Sequence, residues 1–173
     1  MDARKRTLIL VAKQLCYALL LFAAYVLQTT PGFLTFFGVK PVLLVPTAIC
    51  IAVLEGVFPG ALWGAAAGLL WDIASGRTGG FFAIQLMVLC FCCAALVALY
   101  LRDTPLNLSL LTGAVMLLVC SSDFLFSYLL HGYSGLGWMY LRRVLPVVLL
   151  SAAVTAVPRW LTRRIAARFV YEE

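Results

Sequence analysis

The chain has 173 residues, 64% of them hydrophobic and 12% charged, with 13 Lys or Arg against 7 Asp or Glu and a net charge of +6. A soluble domain carries about 25% charged and roughly 45–50% apolar residues, and one of this size buries only about 70% of its chain surface. The mean hydropathy of +1.04 therefore excludes a soluble enzyme, a nucleic-acid-binding module and a disordered tail, and identifies an integral membrane protein.

A membrane-spanning helix needs about 20 predominantly apolar residues, and six such runs are legible. Arg4, Lys5 and Arg6 precede a first span over residues 7–28. Its apolar region is longer than that of a signal peptide and no clear small-residue cleavage site follows, so an uncleaved span is expected. Beyond Gln28-Thr29-Thr30-Pro31, the aromatic stretch 33–37 suits a bilayer interface. A second span covers 41–55, with a kink expected at Pro46. The turn to a third span over 59–72 is so short that the two should form a tight helical hairpin. Ser75-Gly76-Arg77-Thr78-Gly79-Gly80 is a turn segment. The fourth span, 81–101, stops at Arg102-Asp103-Thr104-Pro105, and the fifth covers 106–130. A glycine- and aromatic-rich connector, 131–140, leads to a sixth span over 141–161 that carries Pro146 and Pro158. The expected fold is an all-α integral membrane protein: one domain over residues 1–173, a bundle of six transmembrane helices.

Charge placement sets the expected orientation. With both termini cytoplasmic, the inner positives are residues 4, 5, 6, 13, 102, 159, 163, 164 and 168, against 40, 77, 142 and 143 outside. The positive-inside rule favours this orientation over its reverse. The six cysteines, Cys16, Cys50, Cys90, Cys92, Cys93 and Cys120, lie in apolar runs and read as small buried hydrophobes. A zinc site wants Cys/His pairs at short regular spacing, and His131 is the sole histidine. No metal ligand set, cofactor motif or catalytic group is expected, and nucleic acid is not an expected partner.

The most specific pattern is Gly56-x-x-x-Gly60-x-x-x-Gly64-x-x-x-Gly68-x-x-x-Asp72. Residues four apart share a helix face, and small-x-x-x-small faces admit a close neighbouring backbone in lipid. The pattern predicts a continuous groove, used either for packing inside the bundle or for docking a partner's membrane helix. Asp72 stands at the end of that span, as a local cap, a partner of Arg77, or a fixed polar contact holding the turn or a partner. Asp123, in Ser121-Ser122-Asp123, lies well inside the fifth span. An intramembrane acid is a functional-site candidate, and Arg142 or Arg143 is its expected partner.

The runs Gly38-Val39-Lys40-Pro41-Val42-Leu43-Leu44, Glu55-Gly56 and Gly64-Ala65-Ala66-Ala67-Gly68-Leu69-Leu70-Trp71-Asp72 resemble the rod shape-determining MreD family. That bacterial inner-membrane family has a Pro-Asp-Leu-Leu helix start, then a glycine-spaced helix closing in Gly-Leu-Leu-x-Asp and a small turn. Pro41, Gly64, Gly68, Leu69, Leu70, Asp72 and Gly79 occupy those places, and Val42 departs from the usual Asp. The match covers residues 38–80 best. The resemblance implies a non-enzymatic component of the cell-elongation machinery that controls peptidoglycan synthesis and rod shape. Its implied partners are the bitopic protein MreC and, indirectly, MreB and the RodA/penicillin-binding-protein synthase. The implied fold is similar to the substrate-binding components of ECF-type vitamin transporters. A small-molecule transporter component is accordingly the alternative, with Gln85, Asp123, His131 and Trp138 lining an outward cavity. Membrane lipid is a further expected partner, through Phe81, Phe82, Tyr133, Trp138 and Tyr140, which an interfacial aromatic belt also explains.

Overall fold

A computed structural model describes residues 3–30, 41–76, 79–125 and 136–169, with side chains described from Thr7 in the first segment and from Val144 in the last. Every regular element among them is helical: α1 (Ala3–Thr29), α2 (Leu44–Glu55), α3 (Val57–Ser75), α4 (Phe81–Leu99), α5 (Pro105–Phe124), α6 (Leu136–Val154) and α7 (Ala156–Arg168). Five stretches are long and apolar enough to cross a bilayer: Thr7–Thr29, Val57–Ser75, Phe81–Leu99, Pro105–Phe124 and Val144–Arg168. The chain is a multi-pass, all-α membrane bundle.

The centre of that bundle is its shortest helix. The 12 residues of α2 rise about 18 Å, less than the roughly 30 Å hydrocarbon core of a bilayer. Yet Leu44 to Ala52 are all buried, and α2 touches every other helix. Its residues are hydrophobic all round, as a fully enclosed helix requires. By contrast α1 turns most of its surface outward, with Leu8, Leu15, Leu19 and Phe22 exposed. An exposed apolar face of this kind suits a lipid environment.

Prolines mark where four of the helices begin, whereas Pro146 stands inside α6. Pro46, Pro59, Pro105 and Pro158 each fall in the first turn of α2, α3, α5 and α7. First-turn N–H groups have no intrahelical acceptor, so a proline there forfeits no hydrogen bond. The kink expected at Pro46 is therefore a helix start instead. Pro158 interrupts the expected sixth span. Its ring would meet the carbonyl four residues back, that of Val154, and α6 ends at that residue. Thr155 bridges the break, its hydroxyl donating to the Ser151 carbonyl at 2.9 Å. The helix then resumes and runs to Arg168, beyond the expected end at 161. At its other end, α6 begins at Leu136, so residues 136–140 are helical rather than connector. Residues 126–130, expected to finish the fifth span, lie outside the described residues.

Helices α2 and α3 meet at one residue. Gly56 has φ +95° and ψ −179°, a region that only glycine adopts readily. Its N–H donates to the Ala52 carbonyl at 3.0 Å, and its own carbonyl accepts from Gly60 at 2.9 Å. No side chain or atom lies within 4 Å of where its Cβ would be. Gly56 is a turn glycine, unlike the packing glycines that follow it.

Candidate functional site

The remaining ladder glycines are buried between helices of this same chain. A Cβ on Gly60 would stand 2.8 Å from Cα and Cβ of Ala52 on α2. On Gly64 it would stand 2.5 Å from the Leu86 carbonyl oxygen and 2.7 Å from Cys90 Cβ, both on α4. On Gly68 it would overlap the Phe82 carbonyl and Ala83 Cα. Four residues at 3.6 per turn overshoot a full turn by about 40°, so the face rotates as it climbs. It meets α2 at Gly60 and α4 at Gly64 and Gly68. The groove predicted as continuous is thus shared between two neighbours and filled from within. Helices α3 and α4 form the most extensive helix pair of the bundle.

Asp72 completes that pair. It is buried, and its carboxylate accepts from the N–H groups of Phe82 at 3.2 Å and Ala83 at 3.1 Å. These are the N2 and N3 donors of α4, the groups that a capping side chain ordinarily satisfies. The residue at the cap position is Gly80, which has no side chain. Asp72 supplies the cap from the preceding helix, and its negative charge sits at the positive end of the α4 dipole. Trp71 stacks on Phe82 at 5.3 Å beside it. The fixed contact holding the turn is the role the structure gives Asp72; Arg77 lies outside the described residues.

The other family-motif positions play varied parts. Pro41 is buried just ahead of α2, and the Val42 N–H donates to the Ser151 hydroxyl at 3.0 Å. Leu70 packs against the core, Gly79 lies in the turn before α4, and Leu69 is 53% exposed. Asp123 lines a cleft of about 330 Å³ with Trp71, Cys120 and Val147. The side chains of Arg142 and Arg143, its expected partners, lie outside the described residues, as do those of His131, Tyr133, Trp138 and Tyr140. Gln85 lines a different cleft, about 530 Å³ between α4 and α5, where its amide donates to Ser122 at 2.7 Å. Gln85 and Asp123 therefore do not share the one cavity expected for a small-molecule site.

Three polar ties were missed in the sequence. Glu55, at the end of α2, pairs with Lys13 on α1 and accepts from Gln14 at 2.9 Å; Gln14 in turn accepts from Trp63 on α3 at 3.0 Å. Asp103, in the α4–α5 loop, pairs with Arg159 at 2.8 Å and with Arg163, both on α7. Gln28 accepts from the N–H groups of Leu43 and Leu44 at 3.2 and 3.1 Å, capping α2 from the end of α1. One signal was available for the first tie. Lys13 is the lone cation in the first apolar run and Glu55 the lone acid in the second; charges in lipid pair with one another. Cys90 and Cys93 stand at C-x-x-C spacing on α4, but no group of three metal-ligating side chains forms among the described residues.

These contacts join helix to helix at both ends of the bundle. Lys13–Glu55 and the Asp103 cluster gather the start of α1, the α2–α3 junction, the α4–α5 loop and α7 at one end. Gln28 and Asp72 tie the other. No known protein family, curated protein or solved structure matches the chain.

Proposed function

We propose that this chain is a non-enzymatic membrane scaffold of the MreD type, set in the bacterial cytoplasmic membrane with both termini inside. In this reading it binds an MreC-like bitopic protein and so helps control peptidoglycan synthesis and rod shape. The observation that carries the reading is that Gly64, Gly68 and Asp72, which bear the resemblance, act as one mechanical unit locking α3 to α4. A rigid hairpin is what a contact-based scaffold needs. Because the glycine face is filled, the partner helix meets the opposite side of α3, where Phe58, Leu62, Leu69 and Ile73 are exposed. Leu69 is a motif residue that the core does not enclose.

Co-purification of the detergent-solubilised chain with the MreC-like protein tests this. Wild-type association, weakened by Leu62→Ala with Leu69→Ala at unchanged thermal stability, is the expected result. Full association of that double variant rejects the α3 face. No association of the wild type rejects the scaffold reading, and ligand-induced thermal stabilisation by a vitamin would favour the small-molecule transporter alternative.

A further inference from the structure

The outer face of α7 changes character along its length in a way that fixes its depth in the bilayer. Val157 and Trp160 are 58% and 55% exposed, and Arg164 and Arg168 are exposed one and two turns further on. The apolar stretch that ends here, Val144–Arg168, is long enough to cross the membrane. An exposed tryptophan between apolar and cationic turns marks the membrane–water interface. Arg164 then lies about 6 Å beyond Trp160 along the helix and Arg168 a further 6 Å or so. That is the headgroup layer.

The other face of α7 cannot rotate outward. Pro158, Arg159 and Thr162 are buried, and Arg159 grips Asp103 through both its carboxylate, at 2.8 Å, and its backbone carbonyl, at 2.9 Å. Asp103 thereby consumes Arg159 and Arg163. Arg164 and Arg168 make no ion pair among the described residues. Arg164 lies over the Trp160 ring, its Cζ 4.3 Å from the ring centroid. A guanidinium carried over an indole face still has N–H donors to offer in the fork that matches a phosphate. Exposed Arg102 adjoins Asp103 in the clamped loop. Among the described residues of α7 and the α4–α5 loop, five arginines thus stand against one aspartate.

We infer that Trp160, Arg164 and Arg168 form a binding site for the phosphodiester headgroup of an anionic phospholipid. The surplus positive charge favours an anionic headgroup over a zwitterionic one, which brings its own cation. The site is independent of the scaffold reading.

The test uses the full chain in phosphatidylcholine nanodiscs doped with brominated phosphatidylglycerol, with tryptophan fluorescence quenching as the readout and Trp160→Phe isolating the Trp160 signal. Brominated phosphatidylcholine at the same mole fraction is the comparison. The expected result is a several-fold greater quenching of Trp160 by the anionic lipid. Arg164→Gln and Arg168→Gln should each lower that preference, and the double variant should abolish it, while raising the salt from 0.01 M to 1 M should erode it as the screening length contracts. Neither variant should move the thermal unfolding midpoint, because neither side chain joins the Asp103 clamp. Equal quenching by both lipids, or a preference untouched in the Arg164→Gln, Arg168→Gln double variant, overturns the site. Loss of the preference on adding millimolar glycerol phosphate would show that the arginines read a soluble phosphate, and would overturn the lipid assignment.

Discussion

Gly68→Ala adds one methyl group to the tightest point of the bundle. Its Cβ would overlap the Phe82 carbonyl oxygen and Ala83 Cα, backbone atoms that cannot rotate aside. Ordinary contact lies near 3.5–4.0 Å, so α3 and α4 must part locally by about 1 Å. The Asp72 hydrogen bonds, already 3.2 and 3.1 Å long, would then pass beyond bonding range. Overpacking costs about 1–3 kcal/mol, and loosening bonds to a charged acceptor about 1.5–3 kcal/mol. Helix propensity gives back up to about 1 kcal/mol. The net loss should be about 1.5–6 kcal/mol. Gly113→Ala is the matched control, since its Cβ would meet only Ala152 Cβ at 3.7 Å. It should be neutral or gain up to about 1 kcal/mol. Equilibrium unfolding in mixed micelles, followed by tryptophan fluorescence, reads the effect directly because Trp71 stacks on Phe82. A Gly68→Ala protein within about 0.5 kcal/mol of Gly113→Ala would refute the packing argument.

Asp72→Ala should leave two buried N–H groups unmade at about 1–3 kcal/mol each, with Asp72→Asn losing less because its carbonyl still accepts; thermal melts of the two variants give the order. Lys13→Met strands the Glu55 carboxylate, whose side chain is 9% exposed, and should cost about 3–5 kcal/mol. The double variant Lys13→Met with Glu55→Leu should recover most of that loss, and failure to recover would mean the pair does more than neutralise itself. Gly56→Ala should cost about 1–3 kcal/mol through backbone strain alone, since its Cβ meets nothing within 4 Å. An unchanged unfolding midpoint would show that the α2–α3 junction tolerates another conformation.

Hydropathy made the apolar runs and the close α2–α3 hairpin legible, because each is written in consecutive residues. The glycine spacing likewise announced close packing at Gly60, Gly64 and Gly68. It did not announce which neighbour each would meet, since that depends on the 40° drift per step and on where α2 and α4 stand. Prolines were misread at Pro46 for a related reason: a proline kinks or starts a helix according to its distance from the first turn, and the first turn was unknown. Asp72 was legible as a turn residue, but its acceptor role toward Phe82 and Ala83 depended on Gly80 being unable to cap its own helix. The ties between Lys13 and Glu55, and between Asp103 and Arg159, join residues 42 and 56 positions apart. Pairings at that range are written in the fold, not in local pattern.

The one-residue junction at Gly56 has a bearing on how the chain enters its membrane. At 12 residues, α2 is too short to partition stably as a solitary segment. With no loop to separate them, α2 and α3 cannot leave the insertion machinery one after the other. They must be released together, with α3 providing the length and Gly60 the cradle that covers Ala52. The hairpin, not α2 alone, is then the smallest piece of this region that can be handed to lipid, and in a truncation ending at Glu55 the first span, Thr7–Thr29, should still insert while the α2 segment should not.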